Sequence, residues 1–305
     1  MTAQLESTAE PVPSAATRVM PPKHVLSIDL EDYFHVEAFS RQIDRSDWQQ
    51  YPARVVGNTH RLLDLFDQYH VKATFFVLGW VAKQFPALVR EVHERGHELA
   101  CHSYWHRKIY NLAPAEFRED TRLARLAIED AASVSVCGYR APTWSVTKDS
   151  LWALDVLVEE GFRYDSSIFP VHHDLYGIPG ASRYPWVHTS ATGQKLLELP
   201  PATIEIFGTN LAAAGGGYFR LLPMRFTEWA FQRFEKEQQS LVFYLHPWEI
   251  DPEQPRIAAS LKSRLRHYTN LAVTRQRLEK MLQRHSFQPF RDYISELESN
   301  CSTRE

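Results

Sequence analysis

The stretch His24-Val25-Leu26-Ser27-Ile28-Asp29-Leu30-Glu31-Asp32 is an apolar run that closes on three carboxylates. Its apolar part reads as a buried strand, and a strand ending on chemically capable side chains is how βα barrels present their working groups. The pattern repeats downstream. Val55, Leu62, Leu63, Phe66 and Tyr69 mark one face of a helix, Ala73 to Leu78 a second strand, Val81 to Arg95 a helix stopped by Gly96, and Glu98 to Cys101 a strand ending at His102. A helix over Pro114 to Ala132, with Pro in its first turn, precedes a strand around Val136 to Tyr139 that ends at Arg140. Lys148 to Glu160 reads as a helix; Phe162 to Asp165, Leu196 to Leu199 and Leu241 to Leu245 read as strands, the last ending at His246. Strands alternating with helices predict an α/β fold on a parallel sheet.

Between Phe169 and Arg220 the regularity gives way to a long stretch rich in Pro, Gly, His and aromatic residues, and loops this long in compact domains tend to be functional. Gly215 to Gly217 before Tyr218 reads as a turn. Leu271 to Leu282 has a helical period with Leu278, Met281 and Leu282 on one side. The expected division is a disordered leader over 1–22, without the features of a signal peptide, one domain over 23–250, and a helical C-terminal extension over 251–305 packed on the barrel.

With 305 residues, 44% of them hydrophobic, and a net charge of -3, the chain can bury one large core and offers no basic field for nucleic acid. Cys101, Cys137 and Cys301 are odd in number and scattered, which argues against a disulfide framework and for a reducing compartment. The longest apolar run, Ala73 to Ala82, falls short of the roughly 18–20 residues that cross a bilayer. The expectation is a soluble cytoplasmic protein, with peripheral attachment to the inner membrane left open.

His102 and His106 lie four residues apart in His97-Glu98-Leu99-Ala100-Cys101-His102-Ser103-Tyr104-Trp105-His106. With the carboxylates Asp29, Glu31 and Asp32 they offer the donors of an open, hydrolytic metal site suited to zinc or a related divalent ion. A helical turn after Cys101 would put both rings on one side. The bland alternative packs one ring on Trp105 and leaves the other solvated, and in a chain with 14 histidines the pair alone decides nothing. His35 and the pair His172-His173 read as solvated loop histidines, and Cys101 as core.

Five ordered motifs carry a resemblance: Ser27-Ile28-Asp29-Leu30-Glu31-Asp32, His102-Ser103-Tyr104-Trp105-His106, Arg140-Ala141-Pro142-Thr143-Trp144, Asp165-Ser166-Ser167 and Leu245-His246-Pro247-Trp248. The chain resembles the polysaccharide deacetylases, carbohydrate esterase family four with the NodB homology domain, over roughly Lys23 to Ile250. Glu-Asp-Tyr-Phe-His-Val-Glu-Ala-Phe from Glu31, Gly-Gly-Gly-Tyr-Phe-Arg-Leu-Leu-Pro from Gly215 and His-Pro-Trp-Glu-Ile-Asp-Pro from His246 are similar to the branch encoded with exosortase (PEP-CTERM) exopolysaccharide clusters. The resemblance implies a distorted (β/α) barrel, usually seven-stranded, and metal-dependent removal of acetyl groups from N-acetylated sugars. The implied partners are an exopolysaccharide or its lipid-linked precursor, within an exopolysaccharide biosynthesis complex. It implies Asp29 as base, His246 as acid, Arg140 as the cation holding the base, Asp165 as an acid tuning His246, and His102 and His106 as ligands of a divalent metal, zinc first. The family's first motif has adjacent aspartates, whereas here Leu30 and Glu31 separate Asp29 from Asp32. The expected carboxylate ligand is Asp32, whose shorter side chain holds a metal more rigidly, with Glu31 the alternative. Tyr33, Trp105, Trp144 and Trp248 are candidates to stack on sugar rings, with core or rim packing as the ordinary reading.

Competing readings are narrower. His97-Glu98 opens what looks like a zinc-protease signature, but His102 comes one position too late, and no Gly-x-Ser-x-Gly elbow occurs. A cyclic-amide hydrolase on the same scaffold and a catalytically idle carbohydrate-binding or assembly protein remain the alternatives. Retention of both Asp29 and His246 favours an enzyme over the idle barrel.

Overall fold

A computed structural model describes residues 20–213 and 215–302, and side chains as far as residue 299. Most of the expected leader, residues 1–19, lies outside the described residues. Strand β1 (His24–Leu30) alternates as a two-residue period requires. Leu26, Ile28 and Leu30 pack outward into the main core, while Val25 joins a second cluster inside the sheet's curl and Asp29 points to the same inner side.

Helix α1 (Val55–Gln68) buries Leu62, Leu63 and Phe66, and β2 (Thr74–Val77) follows. The single helix expected over 81–95 is two, α2 (Gly79–Gln84) and α3 (Pro86–Glu94), parted at Phe85. Pro86 disfavours helical backbone in the residue before it and serves as a first helical position itself. Strand β3 (Glu98–Cys101), α4 (Pro114–Ala132), β4 (Gly138–Tyr139), α5 (Trp152–Glu159) and β5 (Tyr164–Asp165) continue the alternation.

The stretch that reads as irregular holds β6 (Trp186–Thr189), β7 (Lys195–Glu198), the hairpin β8 (Thr203–Ile206) and β9 (Thr209–Ala212), and α6 (Gly216–Leu221). Then come α7 (Met224–Lys236), β10 (Val242–Leu245), α8 (Leu261–Tyr268), α9 (Leu271–Arg284), β11 (Phe287–Gln288) and α10 (Phe290–Ser302).

The main sheet runs β10-β1-β2-β3-β4-β5-β7-β6, with β11 also on β1. Every pairing from β10 to β7 is parallel, and only β6 runs against its neighbour. Among the described residues the path from β10 to β7 holds seven parallel strands, the number expected of the distorted barrel, and β11 adds a short eighth parallel to β1. β7 and β10 do not pair; Ala202 bridges toward the far edge by donating to the carbonyl of Val242 at 3.2 Å.

The C-terminal segment does more than pack on the outside. β11 extends β1 in parallel (His24↔Phe287), and α10 sends Phe290 and Tyr293 into the inner cluster with Val25, Phe76, Ala100 and Tyr164. Phe290 lies flat on Tyr164, with ring centroids 5.3 Å apart. Burying such a ring contributes about 1.5–3 kcal/mol, so α10 is a stopper for one end of the curl. The other end, where β1, β3, β4 and β10 finish, is left for chemistry.

Candidate active site

Strand ends bring Asp29, His102, Arg140 and His246 together at one cavity of about 200 Å3, which Asp29, Glu31, His102, His106, Trp144, Tyr244, His246 and Trp248 help to line. Arg140, fully buried inside the curl, donates from Nη1 to Asp29 Oδ1 at 2.7 Å and to Ser27 Oγ at 2.9 Å. Nη2 donates to Ser166 Oγ at 3.1 Å, and the guanidinium sits 3.9 Å from the Phe76 ring centroid. A buried cation needs such partners, and the result is a carboxylate whose other oxygen is free to face the cavity. That oxygen, Asp29 Oδ2, lies 3.7 Å from His246 Nε2.

A loop brings His102 and His106 together; no helix forms after Cys101. Ser103 and His106 both have positive φ (65° and 51°), an uncommon conformation for non-glycine residues. Asp120 of α4 pins the loop by accepting from Ser103 Oγ (2.6 Å) and Tyr104 N (2.8 Å), and Arg45 Nε holds the Trp105 carbonyl at 2.6 Å. The two imidazole centroids are 5.4 Å apart. His102 Nδ1 donates to the Arg140 carbonyl at 2.8 Å, which leaves the Nε2 lone pair for a ligand. Burial pulls the His102 ring down to about 4, so it is neutral near pH 7.

The carboxylate that joins these rings is Glu31, which corrects the expectation of Asp32. Glu31 Oε2 lies 2.8 Å from His106 Nε2, and donor atoms of Glu31, His102 and His106 converge within 4.8 Å of one another. Burial alone would raise the Glu31 carboxyl, but His106 foremost, then His246 and His102, hold it well below the usual carboxylate range. Asp32 faces away. Its Oδ1 accepts from Tyr33 N at 2.8 Å and its Oδ2 from Arg54 N at 2.6 Å and Val55 N at 2.8 Å, so it fixes the start of α1. Two imidazoles and one carboxylate, buried beside an open cavity, suit a divalent ion that keeps positions for water.

Asp165 does not reach His246, a second correction. Tyr164 and Ser166 point inward, so Asp165 points outward, where it is buried beside Glu198, its partner across β5 and β7, and accepts from Ser167 Oγ at 2.5 Å. Burial pushes the Asp165 carboxyl up to about 6 and Glu198 well above its ordinary value. The acid that holds His246 is Glu249, whose Oε1 lies 2.7 Å from His246 Nδ1 and accepts from the His246 backbone N–H at 3.0 Å. Arg220 Nε donates to Glu249 Oε2 at 2.5 Å, while its other nitrogens bind carbonyls of Arg266, His267 and Thr269. Burial opposes the charged ring of His246, yet Glu249 chiefly, helped by Glu31 and Asp29, raises it to about 9. The His246 imidazolium is thus ready to donate at neutral pH. The signal for Glu249 is a capping pattern, His-Pro-Trp-Glu, in which the fourth residue reaches back to the first.

Of the aromatic candidates, Trp144 and Trp248 line the cavity; Tyr33 and Trp105 do not. Trp248 stacks on His267 (4.2 Å, 13°) and His246 (5.1 Å, 26°) and donates to Glu31 Oε1 at 3.3 Å. Tyr33 is fully buried, edge-on to Phe34. His35 is not solvated: it is buried among Phe34, Trp48 and Trp80, and its Nδ1 accepts from Asp32 N at 2.9 Å. His173 is half-buried, lies flat on Tyr176 at 3.8 Å and meets Arg266, while His172 is exposed. Gly215 and Gly216 open α6 with φ of 109° and 49°, and a Cβ on either would strike the Tyr244 ring. The expected turn is a helix start pressed against the cavity wall.

Two family models match in tandem: polysaccharide deacetylase over residues 48–162, and a domain of unknown function, DUF3473, over 166–295. His102, His106 and Arg140 fall in the first, Arg220, His246 and Glu249 in the second, and Asp29 and Glu31 precede both. The peptidoglycan deacetylase of Helicobacter pylori is 32% identical over 116 residues, which is 38% of this chain and 38% of that protein. The match thus spans well under half the length of that curated relative. The crystal structure of a "putative polysaccharide deacetylase" from Mycobacterium smegmatis has a TM-score of 0.61 at 18% identity, covering 91% of each chain. Puue allantoinase has a TM-score of 0.54 at 16% identity, covering 87% of this chain and 85% of that one. These structural likenesses establish the α/β, NodB-like fold.

Proposed function

We propose, from the match of residues 48–162 to the polysaccharide deacetylase family, that the chain is a metal-dependent hydrolase of amide bonds. Its reaction is removal of acetyl groups from N-acetylhexosamine units of a bacterial exopolysaccharide or its lipid-linked precursor. The observation that carries this reading is that Asp29 and His246 oppose each other at 3.7 Å in the same cavity as Glu31, His102 and His106. Each of the opposed pair is locked by a buried ion pair, Asp29 by Arg140 and His246 by Glu249.

Amide carbons are poor electrophiles and amines poor leaving groups, so the site must activate water, stabilise an oxyanion and protonate nitrogen. Glu31, His102 and His106 would hold a divalent ion, zinc being the first candidate for this donor set. When bound, such an ion lowers the pKa of water and polarises the acetyl carbonyl. Asp29 Oδ2 takes the proton from water, and Arg140 holds the carboxylate in orientation through its other oxygen. His246 Nε2 gives its proton to the departing amine, and Glu249 restores the charged ring's preference for that role. Trp144 and Trp248 offer flat faces to a sugar. Action within an exopolysaccharide assembly of the exosortase-associated type is the finer placement, supported by the phrases around Glu31, Gly215 and His246.

A substrate panel tests the reading. Acetate release from N-acetylglucosamine oligomers and acetylated exopolysaccharide, with no opening of cyclic amides such as allantoin, is the expected result. Ring opening without acetate release would assign the cavity to the cyclic-amide reaction.

A further inference from the structure

Helix α8 stands beside the cavity, and its outer face is apolar. Leu261 and Leu265 are 70% and 58% exposed, and side chains four apart share a helix face. Leu221 and Leu175, also exposed, continue the patch across a groove that Lys262, Leu265 and Arg266 complete. Single exposed leucines are ordinary, whereas four in one patch rimmed by charge mark an interaction surface.

The charge is one-sided. Arg256, Lys262 and Arg264 are exposed and enter no ion pair among the described residues, and the chain has no Asp or Glu between Glu253 and Glu279. That run of cations stands out in a protein of net charge -3. The groove's one acid is Asp174. Leu221 and Arg266 line both this groove and the active-site cavity, so whatever covers the groove lies against the opening of the site.

We infer that α8, with Leu175 and Leu221, docks the protein on an anionic lipid bilayer. The leucines enter the boundary between headgroups and acyl chains while Arg256, Lys262 and Arg264 meet lipid phosphates, the arrangement by which an amphipathic helix lies on a membrane. Charge complementarity selects this occupant over a second copy of the chain, which would bring like charges face to face. Among the described residues no helix is long and apolar enough to cross a membrane, so this surface contact is the attachment proposed. The cavity then opens beside the lipid surface, and the glycan it reaches is one carried on lipid. That last clause rests on the deacetylase reading; the docking does not.

The test is sedimentation of the full chain with phosphatidylcholine vesicles, with and without phosphatidylglycerol, beside the variants L261D/L265D and K262E/R264E. Thermal melting confirms that each variant is folded. Expected is binding to phosphatidylglycerol vesicles that weakens with salt and falls about tenfold or more in either variant. Absence of binding, or equal binding by wild type and both variants, would overturn the inference. So would a dimer abolished by L261D/L265D in a protein that ignores vesicles, since the face would then belong to a second copy. Sedimentation requires no turnover, so its failure is separable from failure of the proposed chemistry.

Discussion

Asp32→Asn and Glu31→Gln separate two neighbouring carboxylates by opposite consequences. Asp32 is fully buried and serves three backbone N–H donors, Tyr33 on one oxygen and Arg54 and Val55 on the other. An asparagine has one oxygen, so it can satisfy Tyr33 or the α1 pair but not both, and its NH2 faces a donor. Losing a charge-assisted bond and leaving a buried N–H unmatched costs about 2–4 kcal/mol, a fall in Tm of roughly 3–6 °C for a chain of this size. Metal content should stay near that of wild type. Glu31→Gln leaves no backbone N–H unmatched, and its distinguishing loss is at the metal. Its zinc affinity should fall by more than the roughly 10–100-fold seen when a ligand's outer partner is removed. Thermal melts and zinc stoichiometry after dialysis against a weak chelator measure both. A Glu31→Gln protein that retains zinc, beside an Asp32→Asn protein that loses it at an unchanged Tm, would refute the assignment.

Glu249→Gln removes the chief support of the His246 imidazolium, which stands at about 9, so the ring loses its proton at lower pH. The basic limb of the rate profile should move toward neutrality, with activity falling more at pH 8 than at pH 6; a limb that stays put would remove Glu249 from its positioning role. Asp165 is raised to about 6 by burial, so between the ordinary carboxylate value and about 6 the folded state binds more protons than the unfolded. Stability from this group is full below that window and is lost as pH rises through it. Asp165→Asn should therefore lessen the drop in denaturation midpoint between pH 5 and pH 8, and an unchanged drop would show that Asp165 does not titrate there.

The parallel sheet was legible because its central strands are long apolar runs. His24–Leu30 and Glu98–Cys101 form as read, each followed directly by a cavity residue, Glu31 and His102. β4 and β5 hold two residues each, too short for periodicity to bound. The hairpin β8–β9 escaped because its strands are four residues long and partly exposed, and α8 because its leucines face solvent, so no buried stripe betrays it. Side-chain length ranked Asp32 above Glu31, but chain direction decided between them. The backbone tightens after Asp29, with Glu31 N donating to the Asp29 carbonyl at 3.0 Å, and sends Glu31 to the histidines and Asp32 to α1. For Asp165 the missing information was strand parity, which a two-residue strand does not display in sequence.

The most direct test of the central claim is acetate release from N-acetylglucosamine oligomers by metal-stripped protein, with and without added zinc, for wild type, Asp29→Asn and His102→Ala. The account predicts zinc-dependent acetate from wild type alone, with Asp29→Asn still binding zinc and His102→Ala losing both metal and turnover. Wild-type activity in either variant, or zinc tightly held by a wild-type protein that releases acetate from no acetylated sugar, would contradict it.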